Sequence, residues 1–176
     1  MSVSLAELTA LWGPDGVIEV PTDLLGDVLA PGVLPAGAAL PVEVPILFTA
    51  DVTAPGMTPF GKLKIEIGDE GPRMYVILGS SPDDAQMLFI LDSQNGSVIL
   101  LDLATPNFEH VNASFAAFVE FLYKLGQLID TDPGGRARAE RAAAIRAELT
   151  RVDASAFTDP ESWWSIAFDQ LESTAA

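Results

Sequence analysis

Leu5, Leu8, Leu11 and Trp12 recur at helical spacing behind Ser4 and Glu7. Their Ser-x-x-Glu spacing lets each side chain cover a free backbone N–H at a helix start. The pattern predicts a helix over 4–12. It stops at Gly13-Pro14, and prolines and glycines then defeat any period up to Pro45. Only 22–29 has room for a brief helix there. Val33, Leu34, Leu40 and Val42 are too hydrophobic for a free linker, so 13–45 is expected to lie across the domain as an ordered apolar segment with no domain boundary.

The middle of the chain turns to short runs rich in β-branched and aromatic residues, over 46–52, 63–67, 73–79, 86–92 and 97–103, divided by turn formers. These read as strands of a sheet spanning 46–111. Asn95-Gly96 lies between the two most hydrophobic runs, Met87–Leu91 and Val98–Leu101, and tolerates positive φ, which predicts a central antiparallel hairpin. Both runs are apolar at successive positions, so both sheet faces must be covered there, an office expected of helices. Lys62, Lys64 and Glu66 alternate with Leu63, Ile65 and Ile67, which puts one face of that strand in water.

Beyond Asn107 the period becomes 3.6. Phe115, Phe118, Val119, Leu122, Leu125 and Ile129 share one side of a helix over 114–130 that Ser114 or Asn112 can cap. Asp132-Pro133-Gly134-Gly135 ends it, and an alanine-rich helix follows over 136–151 with Ile145, Leu149 and Val152 as a narrow apolar stripe. Thr158-Asp159-Pro160-Glu161 has the capping residue, first-turn proline and acid that open a last helix over 160–172. Trp163, Trp164, Ile166, Ala167 and Leu171 give it an apolar face. Helical neighbours point about 100° apart, so one tryptophan is assigned to the core, Trp164, and Trp163 is left open. Phe115, Phe118, Leu122, Trp164 and the turn residue Gly96 are the expected structural centre. The fold class is α+β: a largely antiparallel sheet of five or six strands wrapped by N-terminal and C-terminal helices.

Composition adds limits. The 176 residues fit one domain, and 49% apolar with 19% charged residues excludes a disordered tail and a multispan membrane protein. A net charge of −16 repels phosphates and anionic membranes and attracts basic proteins. There is no cysteine, which removes disulfides, thiolate catalysis and sulfur zinc sites. Glu7 interrupts the start and the first basic residue is Lys62, unlike a secretory signal, so a cytoplasmic protein is expected.

Chemistry has little to stand on. His110 is the only histidine, and no Gly-x-Ser-x-Gly, Gly-x-x-x-x-Gly-Lys-Ser/Thr or Gly-x-Gly-x-x-Gly run occurs. No catalytic, metal or cofactor residue is therefore assigned. The acidic pairs Asp69-Glu70, Asp83-Asp84 and Asp130-x-Asp132 fall in expected loops, where solvated carboxylates are routine. The arginines of 136–151 are interleaved with Glu140 and Glu148, as on an ordinary solvated helix.

Several segments together resemble the SUKH superfamily of bacterial immunity proteins, most closely its fourth group. Leu34–Pro41 running into Val42–Phe48 is similar to a leucine-proline segment before a first strand, although Ala39 stands where the family usually has glycine. Gly68–Leu78 resembles the family's strand pair. Met87–Val98 resembles its hairpin, with Asp92 and Gly96 flanking the turn. Asn112–Leu122 resembles its core helix, which opens on Asn-x-Ser and continues through spaced phenylalanines. Asp153–Phe157 and Pro160–Trp164 resemble its closing segment.

The resemblance implies a non-enzymatic antidote that binds and blocks a cognate toxin of a polymorphic, typically actinobacterial system. Such toxins often act on nucleic acids and have basic clefts. Asp69, Glu70, Asp83 and Asp84, in loops at a sheet end, are the candidate partner-binding residues. Two other readings stay open: a regulatory protein-interaction module, and an enzyme working through acids such as Asp130 and Asp132.

Overall fold

The computed structural model describes residues 3–66, 71–105, 107–131 and 134–173. It opens with α1 (Leu5–Trp12). The Ser4 hydroxyl accepts from the Glu7 N–H at 3.2 Å, and the Glu7 carboxylate accepts from the Ser4 N–H at 2.8 Å. This is the reciprocal cap that the spacing predicts. The stretch that follows is more regular than its prolines suggest. β1 (Val17–Glu19) pairs antiparallel with β2 (Ala39–Pro41), with a single turn of helix, α2 (Thr22–Leu25), between them. A proline at the end of a two-stranded ribbon removes no interior ladder bond, so Pro41 is tolerated there.

Seven strands form the main sheet, more than the five or six expected: β3 (Glu43–Val44), β4 (Phe48–Thr49), β5 (Lys62–Glu66), β6 (Pro72–Ser81), β7 (Asp84–Asp92), β8 (Val98–Asp102) and β9 (Asn107–Asn112). Their order is β3-β4-β6-β7-β8-β9, all neighbours antiparallel. β5 pairs the first half of β6 on the side where β4 meets its end, Thr49 opposite Ser80. The run 46–52 yields only Phe48–Thr49. Pro45-Ile46 is spent on a turn, and the Thr49 hydroxyl takes the Asp51 N–H at 3.1 Å, which ends the ladder. The central hairpin is present, Leu91 opposite Val98. Its turn is closed by Gly96, at φ 79°, whose N–H donates to the Asp92 carbonyl at 3.0 Å. The Asp92 carboxylate accepts the Gln94 and Asn95 N–H groups and pairs with Arg73 at 3.0 Å.

One sheet face packs on helices. α3 (Phe115–Asp130) is capped by Ser114, which accepts from the Ala117 N–H at 3.1 Å. α4 (Gly135–Val152) and α5 (Trp163–Glu172) follow. Phe48, Phe89 and Phe118 form a triangle of rings with centroids 5.3 to 5.7 Å apart, continued by Phe121 and Trp164 at 5.2 Å. Phe115, Phe118, Leu122 and Trp164 are at most 2% exposed, and each such side chain contributes about 1.5–3 kcal/mol of burial. α1 docks on α3 through Trp12, whose ring lies so close to Gly126 that a β-carbon there would fall 2.4 Å from it. The other face is covered differently from expectation. Tyr75, Ile77, Leu88, Ile90 and Leu101 cluster with Val52 and Met57 of the 50–61 loop, and among the described residues no helix joins them. Backbone bonds from the Phe60 N–H to the Ile77 carbonyl (2.8 Å) and from the Ile77 N–H to the Gly61 carbonyl (2.9 Å) tie that loop to β6.

Candidate partner-binding face

The β6–β7 connection is as tight as a hairpin can be: Ser81 and Asp84 pair, leaving Pro82 and Asp83 as the two turning residues. Pro82 presets φ at the first of these positions. Asp83 and Asp84 are exposed, and an Asp84 carboxylate oxygen accepts the Gln86 N–H at 3.0 Å. Asp69 and Glu70 lie outside the described residues.

Beside this turn stands the β3–β4 turn. The Leu47 N–H donates to the Val44 carbonyl at 3.0 Å, with Pro45 and Ile46 between. Ile46 has φ 74° and is 70% exposed. A residue at this place in a turn with positive φ is usually glycine or asparagine, and a β-branched side chain there is strained by about 1–3 kcal/mol. The fold thus holds a large apolar side chain out in solvent on a backbone that resists it.

α5 supplies the third wall. Its helix starts at Trp163, three residues later than the sequence pattern suggests. Ser162 is the cap, while Asp159 takes the Glu161 N–H on its carboxylate and the Ser162 N–H on its carbonyl, forming a turn before the helix. Trp164 and Phe168 enter the core, and Ile166 is left 46% exposed. Trp163 packs edge-on against Phe89, centroids 5.6 Å apart, yet its indole N–H is buried with no hydrogen-bond partner. Ile46, Leu47, Met87, Trp163 and Ile166 line one groove of about 330 Å³ with Asp83 and Asp84 on its rim.

On the far side of α5 the polar groups are satisfied. The Trp164 indole N–H donates to the Asn112 side-chain carbonyl at 2.8 Å, and the Asn112 amide donates to Asp153 at 2.9 Å. Asp153 also accepts the Ala113 and Ser155 N–H groups and the Ser155 hydroxyl. Burial pushes its carboxyl up, but these donors outweigh burial and hold it below the usual aspartate range. One network thereby joins the end of β9, the start of α3, the turn after α4 and α5.

The SUKH-4 immunity protein family model matches residues 3–170, nearly the whole chain. The chain belongs to the SUKH-4 immunity protein family. No curated protein and no solved structure matches it.

In this SUKH-4 protein the one histidine meets a serine and an aspartate without forming a hydrolytic triad. The Ser155 hydroxyl donates to Asp153, so the His110 Nε2, 2.8 Å away, donates to Ser155 in turn. The proton runs away from histidine, and Ser155 gains no nucleophilicity. Asp130 sits exposed at the end of α3, and Asp132 lies outside the described residues. Among the described residues no cluster of metal-ligating side chains forms, and no helix is long and apolar enough to cross a membrane. Of the four acids proposed from sequence, Asp83 and Asp84 share the groove. Ile46 and Ile166 were missed as surface anchors, and Trp163, left open by the sequence, is half-buried along the groove. Trp163's adjacency to a second tryptophan was the one visible signal.

Proposed function

We propose that the chain neutralises a cognate toxin stoichiometrically, in the cytoplasm, by seating the groove between the Ser81–Asp84 turn, the Ile46 turn and α5 on the toxin. The observation that carries this is the convergence, on one groove, of exposed apolar side chains from two separate elements, a buried indole donor with nothing to bond and two rim carboxylates. Apolar anchors within a charged rim are the anatomy of a protein interface. Family membership supports a toxin as the partner. A net charge of −16 favours a toxin with a basic cleft, such as one that acts on nucleic acid, because its surface attracts polyanions. No turnover is required of the antidote.

Co-expression in cells carrying nuclease or deaminase toxin domains tests this: the cognate toxin is silenced by the wild-type chain. Reversing both rim charges, Asp83→Lys with Asp84→Lys, is expected to slow association by about tenfold at low salt and much less at high salt. Rates indifferent to both changes would remove this rim from the interface.

A further inference from the structure

A second recess opens on the other side of the same turn. Glu43 of β3 and Asp51, just past β4, border a notch of about 220 Å³ whose other polar walls are Thr49, Thr53, Ser80 and Ser81. Among the described residues neither carboxylate has an ion-pair partner. Ser81 lines the notch and the apolar groove alike, so the two recesses are neighbours. Its side chain is in a residue only 7% exposed, and the hydroxyl makes no hydrogen bond among the described residues. It is therefore open to a donor that arrives from outside. Two unpaired carboxylates with hydroxyl oxygens between them form an acceptor-rich site without a cation. That chemistry matches a guanidinium, whose five N–H donors lie in a rigid plane and can serve several acceptors at once.

We propose that the notch takes one arginine side chain of the partner while the groove takes an apolar side chain beside it, so that the partner presents an arginine and a large apolar residue as surface neighbours. This rests on the binding-face reading and adds the identity of what is read. Each half does a different job. The apolar contact supplies non-directional burial against Ile46 and Ile166, and the arginine fixes where along the face the partner sits, because carboxylates and hydroxyls demand geometry.

Small probes test the proposal without the toxin. The isotope-labelled full chain is titrated with acetyl-Leu-Arg-amide and with acetyl-Leu-citrulline-amide, which keeps the shape of arginine and removes its charge. The first should shift the amide signals of residues 43, 51, 81 and 83 and the Trp163 indole signal saturably, and citrulline should bind about tenfold or more weakly. Glu43→Gln with Asp51→Asn should bring the arginine probe down to the citrulline level, and Asp130→Asn should change nothing. Equal binding of both probes, shifts spread evenly over the acidic surface, or no shifts at these residues would overturn the notch. Cell protection by the wild-type chain measures the wider reading separately: a chain that protects while its notch ignores arginine keeps the one and loses the other.

Discussion

Trp163 and Trp164 are adjacent on one helix and have opposite fates. The indole N–H of Trp164 ends in a network where Asn112, Asp153 and Ser155 bond one another and the Trp164 ring is 1% exposed. The indole N–H of Trp163 ends in nothing, beside a strained and exposed Ile46. Folding stability selects for satisfied buried donors and relaxed backbone. A region that breaks both rules, one residue away from a region that keeps them, fits the binding face proposed above. The contrast separates the scaffold of this immunity protein from its proposed working surface.

The contrast breaks if the satisfied side proves expendable. Asp153→Ala leaves the Asn112 amide and the Ala113 and Ser155 N–H groups without their acceptor, so we expect a loss of about 3 kcal/mol or more. Urea unfolding of the variant measures it, with Asp83→Asn, on the exposed turn, as a comparison expected to stay within about 0.5 kcal/mol of wild type. A loss under about 1 kcal/mol for Asp153→Ala would mean that the network holds nothing together.

What the sequence showed of each side follows from range. The α3 helix, its Ser114 cap, the α1 capping box and the central hairpin are local patterns, and all were readable as spacing. Asn112, Asp153 and Trp164 were each visible within family-like segments, but they meet across separations of 41 and 52 residues, which no periodicity reports. The pairing of β1 with β2 and the covering of the second sheet face by the 50–61 loop were hidden for the same reason. On the working surface, Asp83 and Asp84 stood out as turn acids. Ile46 did not, because a Pro-Ile pair at the head of a β-branched run reads as strand, and only the fold places it at positive φ.

A smaller effect sharpens the contrast from the other side. Replacing Ile46 by glycine removes the backbone strain at φ 74°, which we expect to raise stability, by about 1 kcal/mol net after the gain in unfolded-chain freedom. The same change removes an apolar anchor from the groove and should weaken toxin binding about tenfold or more. Stability up and affinity down in one variant is the signature of a residue kept for binding. A variant that lost stability would show instead that Ile46 packs for the fold, and thermal melts with a titration against the toxin read both.

The smallest effect is the same contrast read by titration. Glu109 on β9 neighbours Trp163; burial pushes its carboxyl up, the Trp163 backbone N–H opposes this, and the Asp159 charge adds to it. Asp153, the more buried of the two but with its four hydrogen bonds, is held down. The signs therefore differ. A raised carboxyl weakens the fold while it is charged, and that penalty fades as pH falls through its folded value toward the unfolded one near ~4.3. A depressed carboxyl contributes fully above its unfolded value near ~3.9, and the contribution disappears as pH drops through the lower folded value. Unfolding midpoints should thus carry a gain from Glu109 on the way down to about pH 4 and a loss from Asp153 below it. Glu109→Gln should remove the gain and leave the acid loss in place. If the gain survives that substitution, the unsatisfied side of α5 does not reach Glu109, and the boundary between scaffold and working surface lies nearer the groove.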